Sequence, residues 1–138
     1  IDLSSFGPYY GDAWADLEAF EDSMAKVREI DARHYVTFHH VGVLEGPEAF
    51  RERLDRFAAV IKQREARLLA FLREPHTLEE VAEHRFVYRQ GDPVPFVACV
   101  ERRSMGQHID RLIREGRVRE TGPGRFIAAS DRGQGTPS

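Results

Sequence analysis

The stretch PEAFRERLDRFAAVIKQREARLLAFLR, Pro47–Arg73, organises the rest of the chain. Pro47 suits a first helical position, where its missing N–H costs nothing. Phe50, Leu54, Phe57, Ile61, Leu68 and Leu72 then recur every three, four or seven residues and mark one apolar face of a long helix. Arg64 breaks into that stripe, so the pattern predicts a bend or a change of packing partner there. Pro75 ends the segment, because proline cannot donate to the helical ladder. The residues on its two sides follow different patterns.

Upstream, Ile1–Asp12 is rich in Ser, Gly, Pro and aromatic residues and reads as an ordered loop, with Asp12 placed to cap a helix. Leu17, Phe20, Met24 and Val27 predict an amphipathic helix over Ala13–Glu29. His34–Phe38 is a β-branched and aromatic run that predicts a strand, followed by a loop, His39-His40-Val41-Gly42-Val43. Downstream, Thr77-Leu78-Glu79-Glu80 has the spacing of a capping box and opens a short helix through about His84. Arg89–Pro95 reads as a loop. Phe96–Gly116 reads as a helix with Val100, Met105, Ile109, Leu112 and Ile113 inward. Val118 and Arg125–Ala129 read as two strands joined by Thr121-Gly122-Pro123-Gly124. Helix, helix, helix and hairpin is the order of a winged helix. Residues 130–138, rich in Gly, Ser and Pro, are expected to be a disordered tail.

Composition narrows the classes. Of 138 residues, 41% are hydrophobic and 31% charged, the mixture of a globular domain. A net charge of −3 without a polybasic run argues against a general nucleic-acid or membrane binder. Cys99 is the single cysteine, so no internal disulfide forms and nothing points to an oxidising compartment. Between Ala98 and Val100 it reads as a small core residue. No apolar run reaches the length of a membrane span and no signal peptide is visible, so the expected location is cytoplasmic. A chain opening on Ile1 is consistent with a processed, cut or subcloned piece.

His39-His40 is the most suggestive pair for chemistry. Imidazole is a common zinc ligand, and a strand end leading into a Gly-containing loop presents one well. Adjacent side chains on an extended segment point to opposite faces, which opposes both binding one ion. The plainer reading is one buried histidine bonded to backbone and one at the surface. A catalytic zinc takes about three protein ligands plus an open position. His34, His76, His84 and His108 stand singly, so the chain does not readily assemble such a site alone.

Ile1-Asp2-Leu3, Ser5-Phe6-Gly7-Pro8-Tyr9-Tyr10-Gly11, the helix Ala13–Glu29, the strand Tyr35–Phe38 and Phe38-His39-His40-Val41-Gly42, taken in order, resemble the last stretch of the metallo-β-lactamase fold. Ile1 falls just after the family's Gly-Asp dipeptide, and alignment of the family's final histidine ligand points to His40, with His39 the other candidate. The surrounding motif departs from the family's Pro-Gly-His-Gly. Arg64-Glu65 and the winged-helix-like unit after it resemble the C-terminal extension of the subgroup related to glyoxalase II and lactamase-like protein 2.

The resemblance implies an α+β, mostly helical chain. Residues 1–46 would be the C-terminal edge of an αβ/βα sandwich, 47–73 a linking helix and 74–129 a winged-helix-like domain. An intact parent would hold two zinc ions and hydrolyse ester or thioester bonds of a small-molecule substrate, the metal activating water and polarising the scissile carbonyl. The family's His-x-His-x-Asp-His motif is absent, so the chain by itself is expected to be inactive. Its expected partner is the N-terminal catalytic portion or a second copy, with apolar surface on Leu17, Phe20 and Met24 awaiting cover. Phe6, Tyr9 and Tyr10, with Trp14, would line a substrate pocket or else cover the core's edge.

The competing reading is a winged-helix DNA-binding or protein-interaction module. Between Cys99 and Arg119, Arg102, Arg103, Arg111, Arg114, Arg117 and Arg119 outnumber Glu101, Asp110 and Glu115. Arginines there could reach phosphates or guanine edges. A solvated helix face with i, i+4 pairs such as Asp110–Arg114 accounts for the same residues. The acidic chain as a whole makes nucleic acid the less expected partner.

Overall fold

A computed structural model describes residues 1–130. The tail expected over residues 130–138 lies outside them from 131 onward. The chain is α+β, with four helices and two small antiparallel sheets among the described residues. Its contacts divide it into two units, residues 1–64 and residues 65 onward. The long helix contributes to both.

The first unit contains α1 (Leu17–Arg28), β1 (His34–Val36), β2 (Val43–Glu45) and the first part of α2 (Pro47–Phe71). α1 starts four residues later than the apolar spacing predicts. Asp12 instead closes a turn by accepting the amide of Ala15, and Asp16 caps the helix by accepting from the Ala19 amide at 2.7 Å. The cap is therefore the aspartate immediately before buried Leu17.

β1 and β2 form a hairpin in which Tyr35 opposes Leu44 and Val36 opposes Val43. The expected strand stops at Val36, because the Thr37 amide and hydroxyl both donate to the Gly42 carbonyl and close the turn. Val43, expected in the loop, opens β2 instead: three residues carry too little period to declare a strand without their partner. Tyr35 stacks flat on Phe50, with ring centroids 4.0 Å apart. Its hydroxyl donates to the Ile30 carbonyl and accepts from the Ala32 amide.

The core of this unit joins Leu3, Tyr10, Leu17, Met24, Tyr35 and the α2 residues Phe50, Leu54, Phe57 and Ile61. The expectation of uncovered apolar surface on α1 is therefore corrected. Leu17 and Met24 are buried and Phe20 packs against the same cluster, because the α2 stripe supplies their partner inside the unit.

The second unit holds the end of α2, β3 (His76–Thr77), α3 (Leu78–His84), α4 (Val97–Arg114), β4 (Val118–Gly122) and β5 (Arg125–Ala128). The capping box forms: Thr77 Oγ1 accepts from the Glu80 amide, and Glu80 accepts from the Thr77 amide. Glu80 titrates below the usual carboxylate range because of that Thr77 amide and the neighbouring His76. The sheet order is β3-β5-β4, all antiparallel, with an irregularity between Glu120 and Gly122. β3 is too short to read from pattern and exists because β5 pairs with it, His76 opposite Phe126.

α4 ends two residues before Gly116. Gly116 has φ +73°, and the amides of Gly116 and Arg117 return to the carbonyls of Ile113 and Leu112. This left-handed termination satisfies the helix's last carbonyls. Two expectations on α4 are corrected. Cys99 is exposed, and Ile113 is 40% exposed. The inward face runs through Val97, Val100, Glu101, Ser104, Met105, His108, Ile109 and Leu112, so both lie off it.

Candidate functional site

His39 and His40 lie in the turn of the β1–β2 hairpin and are both exposed. His39 adopts a left-handed backbone, φ +63°, so the pair is not extended as the strand reading assumed. The two ring centroids are 6.2 Å apart and tilted by 34°. Phe38, 67% exposed, meets the His39 ring edge-on at 4.6 Å.

Two contacts bring the start of the chain to this turn. The Phe38 amide donates to the Ile1 carbonyl at 2.9 Å. Asp2 Oδ2 lies 3.4 Å from His39 Nδ1, while Asp2 Oδ1 accepts from the Ser4 amide. Asp2 is thus a third polar group at the turn, unmarked in sequence because it lies 37 positions before His39. The donor set does not make a complete metal site. Among the described residues, no group of three or more His, Cys, Asp or Glu side chains could hold a metal ion. A catalytic zinc would need donors beyond Asp2, His39 and His40 gathered at this turn.

The other histidines serve elsewhere. His34 is exposed on β1. His76 and His84 both stack on Phe71, with centroids at 3.9 and 4.2 Å. His108 is fully buried, with Nδ1 3.3 Å from Glu65 Oε2.

The aromatic loop divides. Phe6 is 39% exposed and Trp14 is 97% exposed. Tyr9 is half-buried, its hydroxyl 3.4 Å from Asp12. Tyr10 is buried in the core and accepts from Arg64 through its hydroxyl at 3.3 Å. Arg64, only 2% exposed, also donates to the carbonyls of Pro8 at 2.5 Å and Phe6 at 2.8 Å. Its guanidinium carbon lies 5.7 Å from the Phe6 ring centroid and 5.5 Å from that of Tyr10, within cation–π range. The interruption in the α2 stripe is therefore a clamp on the Phe6–Tyr10 backbone.

In the second unit, Glu65 accepts from Arg111 at 2.7 Å and Arg117 at 3.0 Å, besides its contact with His108. His108, then Arg111, hold its carboxyl at about 2, against the opposing effect of burial. Glu101 is fully buried and accepts three backbone amides, those of Phe86, Val87 and Tyr88, at 2.7–3.0 Å. Neither role was legible in sequence. Of the six arginines that could form a basic face, Arg111 and Arg117 pair with Glu65 and Arg102 with Glu79.

No helix among the described residues is long and apolar enough to cross a membrane. No protein-family model, curated protein or solved structure matches the chain.

Proposed function

We propose that the chain is the C-terminal portion of a metal-dependent hydrolase of the metallo-β-lactamase type. It supplies one histidine ligand from the hairpin turn and carries a winged-helix-like unit that shapes the substrate entrance or mediates assembly. Zinc would be the metal, and an ester or thioester of a small molecule the substrate. One observation carries this reading: the backbone bond from Phe38 to Ile1. It holds Ile1 beside the turn bearing His39 and His40, and the resemblance would put the family's Gly-Asp ligand immediately before Ile1.

The Asp2–His39 contact adds support. A carboxylate on Nδ1 orients an imidazole and leaves Nε2 to meet a metal, the usual arrangement behind a ligating histidine. This favours His39, while the alignment favours His40, and both remain candidates. When bound, the metal would activate water and polarise a carbonyl. This chain's own residues hold and orient the imidazoles. The order of α2, β3, α3, α4 and the β4–β5 hairpin, with β5 central in its sheet, supports the winged-helix-like reading of the second unit.

Zinc titration of the chain, followed through imidazole nitrogen resonances, tests the site. Weak binding confined to the His39 and His40 rings and lost in the double variant His39→Ala/His40→Ala is expected. Stoichiometric micromolar binding that survives His40→Ala removes His40 as the ligand. The same binding surviving both substitutions removes the site. The chain alone is expected to hydrolyse no thioester. Turnover restored by adding the upstream catalytic portion, and lost with the ligating histidine, is the functional counterpart.

A further inference from the structure

A cavity of about 280 Å³ in the first unit lies between the Leu3–Ser5 segment and α2. Its polar lining is Ser4, Ser5, Arg53 and Arg56, with no carboxylate among the lining residues. Leu3, Phe57 and Val60 supply the apolar part. Arg53 uses Nε to donate to the Leu3 carbonyl at 3.3 Å, and its guanidinium has no carboxylate partner among the described residues. Arg56 pairs with Glu52 one turn back, in a solvent-exposed contact that is weak and easily exchanged. The Ser4 and Ser5 hydroxyls have no hydrogen-bond partner within the described residues.

The walls are held in place without a ligand. Arg64 fixes the carbonyls of Phe6 and Pro8 just beyond Ser5. Gly7, at φ +83°, lies so close to α2 that a Cβ would stand 2.5 Å from Val60 Cγ1. The Gly7 amide closes a turn on the Ser4 carbonyl. A preformed site avoids the cost of ordering these groups on binding.

We propose that this cavity binds a phosphate monoester carrying an apolar substituent. The phosphate sits between Arg53 and Arg56 and accepts from the serine hydroxyls, and the substituent rests on Leu3, Phe57 and Val60. A phosphomonoester carries about −1.5 to −2 charge near pH 7, matching two guanidiniums, and guanidinium forks suit its oxygens. This proposal is independent of the hydrolase reading and of the hairpin histidines.

The test is an NMR titration of the whole chain with phenyl phosphate, with inorganic phosphate and chloride at matched ionic strength in parallel. Saturable shifts at the Ser4 and Ser5 amides and the Arg53 side chain are expected, with a Kd tighter than about 1 mM. Phenyl phosphate should bind more tightly than inorganic phosphate, and Arg56→Gln should weaken it about tenfold while leaving the amide spectrum of the core unchanged. Arg53→Gln should weaken it further, with Arg53→Lys partly restoring it. Shifts that chloride reproduces, the absence of saturable shifts, or equal affinity for phenyl phosphate and inorganic phosphate would each overturn the proposal.

Discussion

Arg64 donates to the carbonyl oxygen of Pro8 at 2.5 Å from a side chain almost wholly removed from water. A buried charge is tolerated only when its donors are matched, and here the Phe6 and Pro8 carbonyls and the Tyr10 hydroxyl match them. Arg64→Met would keep most of the apolar stem and strand both carbonyls. The expected cost is about 2–4 kcal/mol to the first unit. Arg64→Lys should recover less than half, because one ammonium does not span a planar fork of acceptors. Urea denaturation read through amide resonances of residues 1–64 measures both.

Gly7 offers a separable prediction. Its φ of +83° and its approach to Val60 act together, whereas Gly91 has φ +77° with open space around it. Gly91→Ala should cost about 1 kcal/mol from backbone strain alone. Gly7→Ala should cost about 2–4 kcal/mol, since Val60 presents its branch point and not a flexible tip. Equal midpoint shifts for the two variants would show that the packing against Val60 contributes nothing.

Glu101 anchors the segment after α3 by accepting three amides within α4's buried face. Glutamine offers one carbonyl oxygen in place of two carboxylate oxygens. Glu101→Gln should therefore lower stability by about 2–3 kcal/mol and speed hydrogen exchange first at Phe86, Val87 and Tyr88. Uniform acceleration across the unit, without priority at those amides, would contradict the anchoring role.

Acid should loosen the second unit in a defined window. Glu65 titrates at about 2 in the folded chain against an ordinary 4.5, chiefly because of the His108 contact and the Arg111 guanidinium. A depressed folded value means that the unfolded chain takes up the proton first as pH falls. The stabilisation is present in full above pH 4.5 and is lost as pH falls toward 2. Its size, reduced for solvent reaching the partly exposed Arg117, is on the order of 2 kcal/mol. Stability measured from pH 6 to pH 2.5 should fall more steeply in the parent chain than in Glu65→Gln, which is less stable at pH 6 and flatter below it.

What could be read from residues alone was whatever depends on short-range order. The apolar spacing of α1, α2 and α4, the Thr77–Glu80 capping box and the terminating Gly116 are local patterns, and each element appears within a few residues of its expected bounds. Arg64 announced itself as an anomaly in a stripe, but not as a clamp, because its acceptors lie more than 50 positions earlier. β2 and β3 were hidden because a strand of two or three residues is specified by its partner. The exposure of Cys99 and the burial of Glu101 turn on which face of α4 meets the core, and both residues sit beside apolar positions in sequence. His39 and His40 were visible as a pair. Only the fold brought Asp2 and Ile1 to them, by a backbone hydrogen bond and a carboxylate contact across more than 35 positions. Local propensity selects the elements, whereas long-range contacts set the charges and hydrogen bonds around them, and those carry the proposed chemistry.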